Sequence, residues 1–140
     1  LIETAHAILA GLDPADEMAF ALAHGKLASV HLNDQNGLKF DQDKSFGSAN
    51  LRGAFNQVRV LEEGGFGRQG EFVGLDVKTM RTQQNEPVTA HLSNSLTIFL
   101  HLVDKVRSFD RQREQQFVEA RDYEGLELYV VEHLLGVTDS

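Results

Sequence analysis

Two short apolar segments with the length of strands alternate with segments of helical periodicity, and this alternation constrains the fold most strongly. Residues 27–32 and 71–77 are the predicted strands, and a helix-length crossover separates them. Strands joined by such a crossover run parallel. A parallel sheet needs cover on both faces, and two strands are too few to provide a core. The pattern therefore predicts an α/β chain that packs beside further strands.

Clear start and stop signals delimit the helices. Asp13 and Asn50 are typical N-caps, Pro14 suits a first helical turn, and Gly64-Gly65 ends the second helix. The predicted helices cover residues 14–24, 51–63, 88–108, 113–121 and 123–135. Residues 33–50 form a long polar segment with several glycines, which is typical of a functional loop.

Charge and composition exclude several classes of function. The chain has 13 Lys and Arg against 21 Asp and Glu, a net charge of −8, and lacks the basic cluster that a nucleic acid or an anionic membrane requires. It contains no cysteine, so carboxylates, imidazoles and hydroxyls must carry any chemistry. No run approaches the ~18 apolar residues of a membrane span. These features favour a cytoplasmic protein that binds neither nucleic acid nor membrane.

Carboxylate, imidazole and amide side chains are candidates for a metal site. Glu3 and His6 are three residues apart, a spacing that can bring both to one cation. A surface glutamate and a partly buried histidine would give the same pattern. His31 and Asn33 lie on one side of the first predicted strand, where turn and capping roles are the alternative.

Three aspartates add to this set. Asp41 and Asp43 lie within reach of one hard cation, because carboxylates this close repel unless a cation or proton lies between them. A solvated turn is the ordinary explanation of such a pair. Asp76 ends the second predicted strand, where an ion pair with Arg81 would explain it equally well.

Taken in order, these motifs resemble the C-terminal half of the xylose isomerases. The motifs are Glu3-x-x-His6, Gly37-Leu38-Lys39-Phe40-Asp41-Gln42-Asp43 with Phe46-Gly47 after it, Asn50-Leu51-Arg52-Gly53-Ala54-Phe55, and Asp76-x-Lys78-x-x-Arg81-Thr82. Several motifs in the right order, at nearly the right spacing, are far more specific than one match. The similarity covers most of the chain and thins after about Lys105.

The resemblance implies a TIM barrel. Residues 1–108 would form the C-terminal half of a (β/α)8 barrel, and 109–140 a C-terminal helical extension. A whole barrel takes ~250 residues, so we expect the chain to be a C-terminal portion. A self-contained small α/β domain is the alternative.

The resemblance also implies two divalent cations, Mn, Mg or Co, and the interconversion of an aldose and a ketose by a metal-assisted hydride shift. Glu3 would bridge the two cations. The catalytic cation would be held by His6, Asp41 and Asp43, and the structural cation, which grips the substrate hydroxyls, by Asp76. Oxygen-rich ligands with one imidazole suit Mg or Mn better than Zn.

The sequence departs from the family pattern at the first site. Asn33 stands where xylose isomerases place an aspartate, and Thr79-Met80 replace a proline pair. The His-x-Asn-Asp form resembles the rhamnose isomerase branch, in which the histidine is a ligand. His31 is therefore an alternative to Asn33 as the ligand, and Asn33 would then hydrogen-bond to the ligands without binding the cation itself.

Two classes of function follow. The first is part of a sugar isomerase, expected to be inactive alone because the family's strand-five carboxylate and lysine lie outside this sequence. It would bind a sugar and associate with the missing barrel half or form a homo-oligomer. The second is a self-associating half-barrel with inherited ligands and no isomerase activity. The abasic-site endonuclease branch of the same superfamily is disfavoured by the net charge of −8.

Overall fold

The computed structural model describes residues 1–84 and 89–137, which contain three strands and six helices. The elements in chain order are β1 (Ile2–Glu3), α1 (Thr4–Leu9), α2 (Pro14–Ala23), β2 (Ser29–Leu32), α3 (Leu51–Glu63), β3 (Phe72–Leu75), α4 (Ala90–Arg107), α5 (Arg111–Ala120) and α6 (Tyr123–Leu135). Helices separate the successive strands. The predicted α/β class is therefore confirmed.

The three strands form one parallel sheet in the order β1-β2-β3. Both predicted strands are present, although each is shorter than predicted. The sequence pattern missed β1, because a two-residue strand is too short to show alternation. It also missed α1, a helix of six residues.

The register sorts side chains onto the two faces of the sheet. Val30 and Leu32 are buried on the face that the helices cover. His31 pairs with Glu3 on one side and with Gly74 on the other, so these three residues lie side by side on the opposite face. The helix-covered face builds the core, and the opposite face carries the polar candidates.

The core is apolar and closely packed. Its members include residues of α2, β2, α3, α4, α6 and the loop between β2 and α3, among them Met18, Val30, Leu32, Phe46, Phe55, Val58, Leu61, Leu102 and Val130, together with Phe109 between α4 and α5. Phe46 is the loop's contribution and is fully buried. The loop therefore packs against the body of the protein, which fixes the polar residues on either side of Phe46.

The helix boundaries agree with the capping signals. Asp13 accepts hydrogen bonds from the N–H groups of Ala15 and Asp16, and Asn50 accepts one from Gly53. Helix α5 begins two residues before its predicted start, because Asp110 is the N-cap. The predicted start of α4 at Val88 lies outside the described residues.

One buried carboxylate organises the long loop. Asp34 is 3% exposed and accepts hydrogen bonds from the backbone N–H groups of Gln35, Ala49 and Asn50, at 2.8, 3.0 and 2.9 Å. Its own backbone pairs with that of Lys44 in an antiparallel bridge. The loop thus closes on itself around Asp34, and its two ends stay together at the start of α3.

An ion-pair network holds α5 against α3. Both terminal nitrogens of the Arg59 guanidinium donate to the two carboxylate oxygens of Glu114 at 2.7 Å, and Arg59 Nε donates to Glu63. These hydrogen bonds raise the pKa of Arg59 and lower the pKa of Glu114.

In the described part of the chain, no helix is long and apolar enough to cross a membrane.

We expect Asp34→Ala to lower the free energy of unfolding by about 3 kcal/mol, because three backbone N–H groups, of which that of Gln35 is buried, lose a charged acceptor. Asp34→Asn, which keeps one carbonyl oxygen, should lose less. Urea unfolding monitored by circular dichroism measures both. Asp16→Ala, at an exposed carboxylate, is the control and should cost less than about 1 kcal/mol. Equal losses at positions 34 and 16 would contradict the anchoring role of Asp34.

The Arg59–Glu114 pair makes a pH-dependent contribution to stability. The folded-state pKa of Glu114 lies below its ordinary 4.5. The pair therefore stabilises the fold fully above that value, and its contribution disappears as the pH falls through the lowered pKa. We expect Glu114→Gln to cost about 1 kcal/mol at neutral pH and progressively less as the pH falls to about 3. Urea midpoints at the two pH values test this, with Glu124→Gln as the exposed control. A cost that is the same at both pH values would contradict it.

Candidate metal centre

The carboxyl ends of the three parallel strands meet at one edge of the sheet, and the polar candidates gather there. Glu3 is the last residue of β1, Asn33 directly follows β2, and Asp76 directly follows β3. This edge is where parallel α/β sheets usually place their ligands. This geometry brings together residues that are far apart in the sequence. Glu3 and Asp76, which are 73 positions apart, offer ligand atoms within 4.8 Å of each other.

The first cluster contains Glu3, His31 and Asp76. One ligand atom from each lies within 4.8 Å of the others, and His31 Nδ1 is 3.5 Å from Asp76 Oδ2. All three residues are partly buried. Gly74 makes room for the imidazole, because a Cβ at this position would lie 3.0 Å from His31 Cδ2.

The second cluster contains Glu3, His6 and Asp41, whose ligand atoms also lie within 4.8 Å of one another. The two ring nitrogens of His6 face two different carboxylates. Nδ1 is 3.1 Å from Glu3 Oε2, and Nε2 is 3.2 Å from Asp41 Oδ2. The His6 side chain is 63% exposed, so this cluster opens to solvent.

Glu3 belongs to both clusters, and its side chain is only 10% exposed. A carboxylate has two oxygens, so one group can serve two cations. Carboxylate oxygens with one imidazole in each cluster form a donor set that fits Mn²⁺, Mg²⁺ or Co²⁺. The residues present therefore fit a pair of divalent cations that share Glu3.

Asp43 lies beside these clusters and belongs to neither. Its carboxylate is 4% exposed and forms an ion pair with the ammonium group of Lys78, which raises the pKa of Lys78. The backbone N–H of Lys78 also donates to the Asp43 carbonyl at 2.8 Å. Asp43 has a left-handed φ of 44°, uncommon for a residue other than glycine. Asp43 therefore stands outside both groups of ligand atoms, whereas the family resemblance implies that it holds one cation together with Asp41 and His6.

Asn33 is fully buried between the carboxylates. Its amide nitrogen donates to Glu3 Oε1 at 3.0 Å, to Asp43 Oδ1 at 3.2 Å and to the Asp76 carbonyl at 3.0 Å. Its side-chain oxygen accepts a hydrogen bond from the N–H of Ala5 at 2.8 Å. The amide therefore presents donors to the acidic groups and keeps its oxygen turned toward the backbone of α1.

A cavity of about 700 Å³ adjoins the second cluster. Asp41 and Lys78 line it on the side of the cluster, and His91 of α4 lines it too. His91 Nδ1 is 3.0 Å from the Thr79 hydroxyl. The volume lies in the range of small-molecule sites.

Sequence reasoning missed the contributions of Gly74 and His91. An isolated glycine inside a predicted strand is a known signal of close approach, so Gly74 could have been found. No local pattern marks His91, since only the packing of α4 against the loop brings it to the cavity.

Curated relatives match most of the chain. It is 36% identical to the xylose isomerase of Thermus thermophilus over 121 residues, which cover 86% of this chain and 30% of that protein. It is 35% identical over 122 residues to the xylose isomerase of Thermus caldophilus and 36% identical over 121 residues to that of Streptomyces lividans. These matches cover 87% and 85% of this chain, and 31% and 30% of the relatives.

No protein-family model matches the sequence. The chain spans about 30% of the length of the curated relatives it matches. With 35–36% identity over about 86% of its residues, the chain is similar to a part of the xylose isomerases.

Proposed function

We propose that the chain is part of a divalent-cation-dependent sugar isomerase, which interconverts an aldose and a ketose by a metal-assisted hydride shift. The observation that carries the proposal is the membership of Glu3 in both clusters, each with ligand atoms within 4.8 Å. Two cations that share a carboxylate can hold adjacent oxygens of one substrate. The names of the curated relatives support the same reaction.

The proposal includes a barrel. Residues 1–108 would form the C-terminal half of a (β/α)8 barrel, with 109–140 as a helical extension. Three features support this arrangement: the strands are parallel and in sequential order, helices cover one face of the sheet, and the candidate ligands gather at the carboxyl ends of the strands.

Each candidate residue has a proposed role. Glu3 would serve both cations, His31 and Asp76 would hold the first, and His6 and Asp41 would hold the second, which would be the catalytic one. Asp43 adds charge to the second site, where Lys78 balances it. When bound, the cations supply Lewis-acid polarisation of the substrate oxygens.

His31, rather than Asn33, is the proposed ligand of the first cation. The imidazole Nδ1 lies 3.5 Å from Asp76 Oδ2 and is partly exposed. By contrast, the Asn33 oxygen is hydrogen-bonded to the Ala5 N–H at 2.8 Å. A donor whose oxygen is already engaged would have to break that bond to reach a cation.

The sugar is proposed to bind in the cavity beside the second cluster. Phe40 offers an apolar ring at its wall, and Lys78 and Asn94 offer hydrogen-bond donors. An aromatic ring beside polar groups suits a sugar, since a sugar presents both C–H and hydroxyl groups. Asp41 lines both the cavity and the second cluster, and so connects the sugar to the cation.

We expect Mn²⁺ to bind at two sites, with the second cluster tighter because the family resemblance places one further ligand of the first site outside this sequence. Glu3→Gln should weaken both by about tenfold or more. His6→Ala should affect the second alone, and His31→Ala the first alone. Calorimetric titration with manganese, together with electron paramagnetic resonance of free Mn²⁺, measures the affinities.

The matched controls for this titration are Glu124→Gln and His101→Ala, which change exposed groups outside both clusters. Both should bind manganese as the unaltered chain does. A Glu3→Gln variant that also binds like the unaltered chain would refute the shared site, and so would an unaltered chain that takes up no manganese.

The two edges of the sheet are the proposed surfaces of association. Strands β1 and β3 each have one neighbour in the sheet, and Phe72 of β3 is 64% exposed. Strand edges with unpaired backbone groups favour pairing with further strands. We propose that the remaining strands of the barrel occupy these edges, and a second copy of this chain is the alternative.

As a 140-residue polypeptide the chain should convert neither xylose nor rhamnose to its ketose in the presence of manganese, because the polarising lysine of the family lies on a strand outside this sequence. Chromatography of the sugars measures conversion, with a full-length relative as positive control. Conversion by the purified chain would refute the expected inactivity. A dimer mass by light scattering, without conversion, would favour the self-associating alternative.

A further inference from the structure

The side chain of Asn33 connects the two clusters through hydrogen bonds. It is 0% exposed and contacts Glu3, the shared carboxylate, and Asp43, which lies beside the second cluster. It also contacts the backbone carbonyl of Asp76, whose carboxylate belongs to the first cluster. One buried amide therefore contacts the carboxylate that both clusters share, the backbone of a residue of the first cluster, and a carboxylate beside the second.

The number of donors makes these contacts interdependent. The amide nitrogen has two N–H groups, but three acceptors lie 3.0, 3.2 and 3.0 Å from it. At least two acceptors must share one hydrogen. A movement of Glu3 toward a cation therefore changes the hydrogen bonds that remain for Asp43 and Asp76.

The charge of the group matters as well. Glu3 and Asp43 are both shielded from solvent, where unpaired negative charges are costly. The amide hydrogens of Asn33 face both carboxylates and reduce their repulsion. Lys78 contacts the other oxygen of Asp43, so that this carboxylate has the neutral amide of Asn33 on one oxygen and an ammonium group on the other.

From these contacts we infer that Asn33 is the positioning residue that couples the two cation sites. It orients Glu3 for both cations and keeps its own oxygen on the N–H of Ala5. This inference rests on the proposed function, because it concerns how the proposed ligands are held. Support of this kind commonly changes metal affinity by about 10- to 100-fold.

The test compares Mn²⁺ binding by the full 140-residue chain and by two variants. Asn33→Leu keeps a similar volume and removes every hydrogen bond, and we expect affinity at both clusters to fall by about tenfold or more. Asn33→Asp keeps the acceptor for Ala5 but turns a negative charge toward Glu3 and Asp43. We expect it also to weaken both sites, so the test stands if the leucine variant does not fold.

Ser95→Ala is the matched control. Ser95 is also fully buried, and its hydroxyl accepts from Phe46 N–H and donates to the His91 carbonyl, but it contacts neither cluster. This variant should lose stability in urea and retain manganese binding. A merely structural role for Asn33 would give the same result in the Asn33 variants, and that outcome would overturn the inference.

Tighter binding of Asn33→Asp at the Glu3–His31–Asp76 cluster alone would also overturn it, because position 33 would then act as a ligand. Electron paramagnetic resonance supplies a further readout, since two Mn²⁺ ions that share a carboxylate give a coupled spectrum. We expect the Asn33 variants to lose this coupling. Absence of manganese binding by the unaltered chain would instead refute the proposed function.

Discussion

The buried amide of Asn33 holds together the ends of all three strands. Its hydrogen bonds reach Glu3 at the end of β1, the carbonyl of Asp76 after β3, and Asp43 in the long loop. These groups come from segments that are separated in the sequence. A buried donor without an acceptor costs about 1–3 kcal/mol, so the arrangement that gives the Asn33 amide its acceptors is favoured over others. The hydrogen bonds of Asn33 thereby fix the positions of Glu3 and Asp43.

The acidic side chains at this edge of the sheet and in the long loop have polar partners. Lys78 neutralises Asp43, the imidazole of His6 lies between Glu3 and Asp41, and Asp34 is satisfied by backbone N–H groups. A centre built in this way fits divalent cations, since Glu3 is common to two groups of ligand atoms. The similarity of the chain to the xylose isomerases agrees with such a centre, although the chain spans about 30% of the relatives' length.

Much of the fold follows from local signals. The caps Asp13 and Asn50 and the glycines after α3 mark helix ends, because a side chain or a backbone conformation at one position decides them. The candidate ligands were likewise recognisable by type and spacing. The strand β1 was not, since two residues carry no periodicity, and the cavity wall from His91 depends on how α4 packs against the loop.

Side-chain chemistry and short-range spacing were enough to predict the α/β class, the boundaries of α2, α3 and α6 and the identity of the acidic and imidazole candidates. The grouping of these candidates depends on the tertiary structure. The parallel register aligns Glu3 with His31. The fold of the loop brings Asp41 close to Glu3 and pairs Asp43 with Lys78. The buried position of Asn33 between Glu3 and Asp43 lets its amide donate to both carboxylates. Such groupings depend on which distant backbone groups meet, and chain spacing does not encode that.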